Sequence, residues 1–146
     1  MKNILDSKFS VQFSILVGKY LPRPLGLAVA NGIGSLISSF RGLEINKAIR
    51  NNQAVIRDVH PDSPTLNKVS RRVLTQAGHC YFDFHHTYTN PEKLEEIVPW
   101  TSAMEEFVKF SNGDQGYVVV APHLSNFDIV VARLVLGGFK GRVLSY

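Results

Sequence analysis

His123 and Asp128 stand five residues apart in the segment Pro122-His123-Leu124-Ser125-Asn126-Phe127-Asp128. An imidazole with a free ring nitrogen can take the proton of a substrate hydroxyl. A carboxylate bonded to its other nitrogen fixes the tautomer and stabilises the imidazolium that forms. Read this way, His123 is a general base and Asp128 orients it. The same residues also read as a loop histidine beside a helix-capping aspartate. Ser125 and Asn126 lie within the segment. Of the five histidines, His123 alone has an acid five residues on.

Positioning that pair takes a strand, a loop and a helix in succession. Tyr117-Val118-Val119-Val120-Ala121 is a continuous apolar, β-branched run and predicts a buried parallel strand. Residues 126–136 predict a helix closed by Gly137-Gly138, and Arg142–Tyr146 predicts the start of another strand. Open α/β sheets place ligands at the carboxyl ends of their strands, where His123 would sit. Upstream, residues 43–57 predict a helix. Ser63-Pro64 predicts a helix start, with Ser63 as N-cap. Leu66, Val69, Val73, Ala77, Tyr81 and Phe84 then step by three or four to about His86. Glu96–Trp100 predicts a short strand. Ser102 with Glu105 predicts a capping box and a helix to about Ser111. The fold class expected is α/β: N-terminal amphipathic helices, then the start of a mainly parallel sheet with flanking helices. A strand at the last residues predicts a domain incomplete at its C-terminus. Residues 1–40 are expected to be membrane-associated helices and 41–146 the N-terminal part of a catalytic domain.

Composition narrows the classes. At 45% hydrophobic and 19% charged, the 146-residue chain has the apolar content of a folded domain. One cysteine, Cys80, excludes an internal disulfide framework and a zinc site of paired cysteines. The net charge of +4 is uneven. Residues 1–50 hold seven Lys or Arg against Asp6 and Glu44, while 51–110 hold six against eight acids. The basic excess coincides with the most apolar segment, which points to an anionic membrane surface rather than to nucleic acid. Phe9–Gly18 is uncharged but too short to span a bilayer. Pro24–Phe40 is marginal in length and diluted by Asn31, Gly32, Gly34 and three serines. Both predict helices lying on a membrane or on the rest of the protein. Ile4, Leu5, Phe9, Phe13, Leu16 and Val17 form the apolar face of the first, with Lys2, Lys8 and Lys19 in reach of headgroups.

Other groupings read as structural. Asp58, His60 and Asp62 have metal-ligand types, but Pro61 and Pro64 restrict them and no fourth ligand is near. His79, Cys80, His85 and His86 lie along one helix, where neighbours in sequence point apart. Lys68, Arg71 and Arg72 read as a solvated helix face. No metal and no cofactor is expected.

His123 through Asp128 resembles the His-x4-Asp motif of lipid A biosynthesis (lauroyl) acyltransferases and phosphatidylinositol mannoside acyltransferases, within the lysophospholipid acyltransferase superfamily. LGLAVANGIGSLISSF (25–40) is similar to that family's N-terminal helices. Ile49-Arg50-Asn51-Asn52 with Val59-His60-Pro61, and Gly116–Val120, follow its upstream pattern. The resemblance implies transfer of a fatty acyl group from acyl-CoA or acyl carrier protein to a hydroxyl of a glycolipid or lysophospholipid. It implies His123 and Asp128 as the base dyad, Ser125 and Asn126 as candidates for binding substrate (Asn126 alternatively holding the turn), and no cofactor beyond the donor substrate. The inner, plasma membrane, on its cytoplasmic face, is the expected location. The family runs to about twice this length, so the chain alone is expected to be inactive or very weak. A non-catalytic membrane-surface or protein-interaction module is the competing expectation.

Overall fold

The computed structural model describes residues 8–114, 117–120 and 126–141. Seven α-helices follow one another among them: α1 (Lys8–Tyr20), α2 (Arg23–Ser39), α3 (Glu44–Arg57), α4 (Thr65–Thr89), α5 (Leu94–Ile97), α6 (Ser102–Ser111) and α7 (Phe127–Leu136). A single 3-10 turn, Pro91–Lys93, leads into α5. The chain divides into two compact units, Met1–His86 and Thr87–Tyr146.

In the first unit α2 lies antiparallel against α4. Small residues every fourth position make the contact. A Cβ on Gly26 would fall 2.0 Å from the Phe82 ring, and one on Gly34 would fall 2.8 Å from the Thr75 nitrogen. Between them Ala30 meets Gly78, where an added Cβ would be 3.2 Å from the alanine's own. Polar bonds pin the register. Arg23 Nε and Nη2 donate to the two Asp83 carboxylate oxygens, each at 2.9 Å. His79 Nε2 and Asn31 Oδ1 are hydrogen-bonded at 2.8 Å. The two-pronged guanidinium–carboxylate fork is geometrically demanding, so it fixes position along the helix as well as distance. On α1, Gly18 allows a similar approach, and His86 Nδ1 donates to its carbonyl at 2.7 Å.

α3 closes the end of α2. The buried Asn46 donates to the Ile37 and Phe40 carbonyls at 2.6 and 2.8 Å, satisfying acceptors that a helix C-terminus leaves open. α3 itself ends at Asp58, whose φ of 52° is the left-handed conformation of a helix C-cap. Ser63 precedes α4 as expected, but its hydroxyl bonds Thr65 Oγ1 at 2.8 Å, and it is its carbonyl that accepts from the Leu66 N–H.

The second unit is built on α7. Arg133 reaches the Val98 carbonyl through Nε at 3.2 Å, pairs with Glu95 at 2.9 Å and stands over the Trp100 ring at 5.4 Å. Trp100 fills the space where Gly137 lacks a side chain. The Phe107 and Phe139 rings stack at 5.4 Å, and Asn112 Nδ2 donates to the Gly138 carbonyl at 2.9 Å. The N-cap of α6 is Thr101, whose hydroxyl accepts from Met104 N at 3.3 Å. That is one residue before the Ser102 box expected, and Glu105 pairs instead with Lys109 at 2.7 Å.

The α/β expectation is overturned. The structure is 75% helical and has no strand among the described residues. Glu96 and Ile97 lie in α5, and Val98 to Trp100 serve α7. Tyr117–Val120 has no regular structure. Tyr117 is held by its hydroxyl, which donates to the Lys140 carbonyl at 3.1 Å, but Val118 and Val120 are each 90% exposed. A strand needs a second one to bond with, and no described segment supplies it. Ala121 and the strand expected at 142–146 lie outside the described residues. The α4 stripe is also shifted. Leu66, Ser70, Leu74 and Phe82 are buried, whereas Ala77, Tyr81 and Phe84 face solvent.

Two outcomes follow for stability. Gly34→Ala forces Thr75 main chain away and is expected to cost about 1–3 kcal/mol in urea unfolding. Gly32→Ala, two residues along the same helix and in open space, is expected to gain about 0.5–1 kcal/mol. Equal effects would contradict the packing. His85 is buried against the Tyr81 and Phe84 rings, and burial holds its pKa below 6.5. Above pH 6.5 the ring is neutral in both states; below it the unfolded chain binds a proton that the folded chain resists. Stability is therefore expected to fall as pH drops from 6.5 toward the folded-state value, and His85→Gln to remove that part of the slope.

Candidate functional site

The motif region is reached at α7. Asn126 is the N-cap residue, with φ −90° and ψ 50°, and its carbonyl accepts from Ile129 N at 3.0 Å. Its side chain makes no capping bond. Asp128 occupies the first turn, exposed, where a carboxylate meets the positive end of the helix dipole. Ile129, next in the chain, is buried and anchors that turn. Asp128 thus lies on the first turn of the helix as expected, and the helix begins one residue later than the expected 126, with Asn126 flanking it. His123 and Ser125 lie outside the described residues.

A second site is a surface. On α2, Leu25, Val29, Ile33, Leu36 and Phe40 recur at helical spacing, and each is 42–61% exposed. No charge interrupts α2 between Arg23 and Arg41. On α1, Phe13, Leu16 and Tyr20 are likewise exposed, with Lys8 and Lys19 in solvent beside them. Phe13 and Leu16 were expected on the apolar face of α1, and that face is turned outward. Ile4, Leu5 and Lys2 lie outside the described residues. No helix among the described residues is long and apolar enough to cross a membrane.

The outward face of α2 has one physical origin. Its small residues at 26, 30 and 34 take the contact with α4, so the large ones occupy a neighbouring face that is left about half exposed among the described residues. Reading the segment as simply apolar misses this. The signal that finds it is the four-residue repeat of Gly, Ala and Gly within α2.

The groupings set aside are structural where they are described. Asp58 closes α3, and His60 Nδ1 accepts from the Asp62 N–H at 3.2 Å. His79 and His86 serve α2 and α1 as above. Among the described residues no three His, Cys, Asp or Glu side chains converge as metal ligands. Compared with family models, with curated proteins and with solved structures, the chain matches none.

Proposed function

We propose that the protein works at an anionic membrane surface, seated by the outer faces of α1 and α2, and that acyl transfer by the His123–Asp128 segment is the chemistry carried there. The observation behind the seating is the uncharged outer stripe of α2, bracketed by Arg23 and Arg41. Burying the exposed half of each such side chain in lipid is worth about 1 kcal/mol. Lys8, Lys19 and Arg41 add attraction to anionic headgroups of about 1 kcal/mol each.

For the chemistry, His123 takes the proton of the acceptor hydroxyl. The alkoxide oxygen attacks the thioester carbonyl, the carbon–sulfur bond breaks, and the leaving thiolate takes the proton back from the imidazolium. The acyl group passes directly, with no serine or cysteine nucleophile. Asp128 orients the ring from the first turn of α7. Acyl-CoA or acyl carrier protein is the donor, and a glycolipid or lysophospholipid the acceptor.

A second reading is a membrane-surface module without turnover. The exposure of Val118 and Val120 favours it, because the resemblance implies a buried strand leading into His123.

Two measurements separate these. Ile33→Ser with Leu36→Ser is expected to weaken binding to anionic vesicles by at least about tenfold. Unchanged binding sinks the seating. Thiol release from acyl-CoA, with a lysophospholipid acceptor, is expected to fall about a hundredfold or more in His123→Ala. Release that is equal in the variant leaves the module without turnover.

A further inference from the structure

Arg41 and Arg50 converge on one neutral oxygen. Arg41 Nη2 donates to Asn67 Oδ1 at 2.6 Å, and Arg50 Nη1 donates to the same atom at 2.9 Å. Arg50 Nη2 also donates to the Ser63 carbonyl, at 3.0 Å. Two guanidiniums held on one atom are closer than the Debye length of about 8 Å, so salt screens their repulsion poorly. Arg50 is only 6% exposed, a burial that ordinarily brings a carboxylate with it. Among the described residues neither arginine has one. Glu44 is engaged by Lys47 at 2.8 Å, and Asp62 lies against His60 at 3.7 Å. Asp58 closes α3 as its C-cap.

The surroundings add to the positive potential. The 25-residue α4 begins at Thr65 and has no acid in its first turn, so the positive end of its dipole is uncompensated. The Ser63 and Thr65 hydroxyls stand at that end. Arg71, exposed, follows Asn67 by one helical turn on the same face.

We propose that this corner binds a phosphate group, with the exposed Arg41 contacting it, Arg50 supplying charge from beneath and Asn67 holding the two guanidiniums together. Phosphate oxygens accept several N–H bonds at once, which suits guanidinium forks. The group comes from a lipid headgroup or from a soluble phosphate ester. Arg41 follows directly on Phe40, the last residue of the α2 stripe, which places the corner beside the proposed lipid-facing surface. The site stands whether or not the protein transfers acyl groups.

The test is thermal unfolding of the full chain in inorganic phosphate against potassium chloride at equal ionic strength. Phosphate is expected to raise Tm beyond chloride. Asn67→Asp sets a carboxylate on both guanidiniums. It is expected to raise Tm in chloride and to weaken phosphate binding by at least about tenfold. Arg41→Ala, at the surface, is expected to weaken phosphate binding with Tm in chloride unchanged. A second arm compares phosphatidylcholine vesicles carrying phosphatidic acid with vesicles carrying the same charge as oleate. Loss of a phosphatidic acid preference in Asn67→Asp assigns the site to a lipid headgroup. A lost phosphate response with vesicle binding unchanged assigns it to a soluble ester. A phosphate response no larger than that of chloride, or one that Asn67→Asp leaves intact, overturns the proposal.

Discussion

The close approach of α2 to α4 is the constraint on which the first unit depends. It requires residues without bulk at Gly26, Ala30, Gly34 and Gly78, because main chain and the Phe82 ring occupy the space a larger side chain would need. Dispersion falls steeply with separation, so helices that touch along their backbones gain more contact than helices held apart. The consequence reaches the surface. With the small residues turned inward, Leu25, Val29, Ile33, Leu36 and Phe40 are left about half exposed among the described residues. The membrane seating proposed above would cover that face, since burying exposed apolar surface in lipid is favourable.

Polar groups then fix what apolar contact leaves loose. The Arg23–Asp83 fork holds the start of α2, and Asn46 caps its end. His86 ties α1 to α4 through the Gly18 carbonyl. Arg50 is the exception. It is buried on neutral partners alone, and with Arg41 it leaves net positive charge where α3 meets the start of α4. Sequence places this charge within reach of the apolar stripe, so a negatively charged interface satisfies both features together.

Much of the helical layout is legible in the sequence. Three-and-four spacing and turn residues place α2, α3, α4, α6 and α7 within a few residues of where they lie. The fold class is not legible, because a β-branched run such as Tyr117–Val120 carries strand propensity without carrying its partner strand. Glu96–Trp100 misleads for another reason: Val98 and Trp100 are taken by Arg133, a contact between positions far apart in the chain. The buried face of α4 is displaced from the apolar stripe: α2 meets it at Thr75, Gly78 and Phe82, Ser70 is buried and Ala77 is exposed. At the candidate site, Asp128 occupies the first helical turn that the sequence predicts, while Asn126 precedes the helix without a capping bond from its side chain. The bidentate pairing of Arg23 and the convergence of Arg41 and Arg50 give no sequence signal, since each partner is 13 to 60 residues away.

The central claim is that α2 turns its small face to α4 and its large face to lipid. Thiol labelling of single cysteines tests it most directly, with Cys80→Ser as the background and Ala30→Cys compared with Ile33→Cys. The account predicts rapid labelling at 33 in water, strong protection there by anionic vesicles, and slow labelling at 30 in both conditions. Rapid labelling at 30 with slow labelling at 33, or no protection at 33 by vesicles, would contradict it.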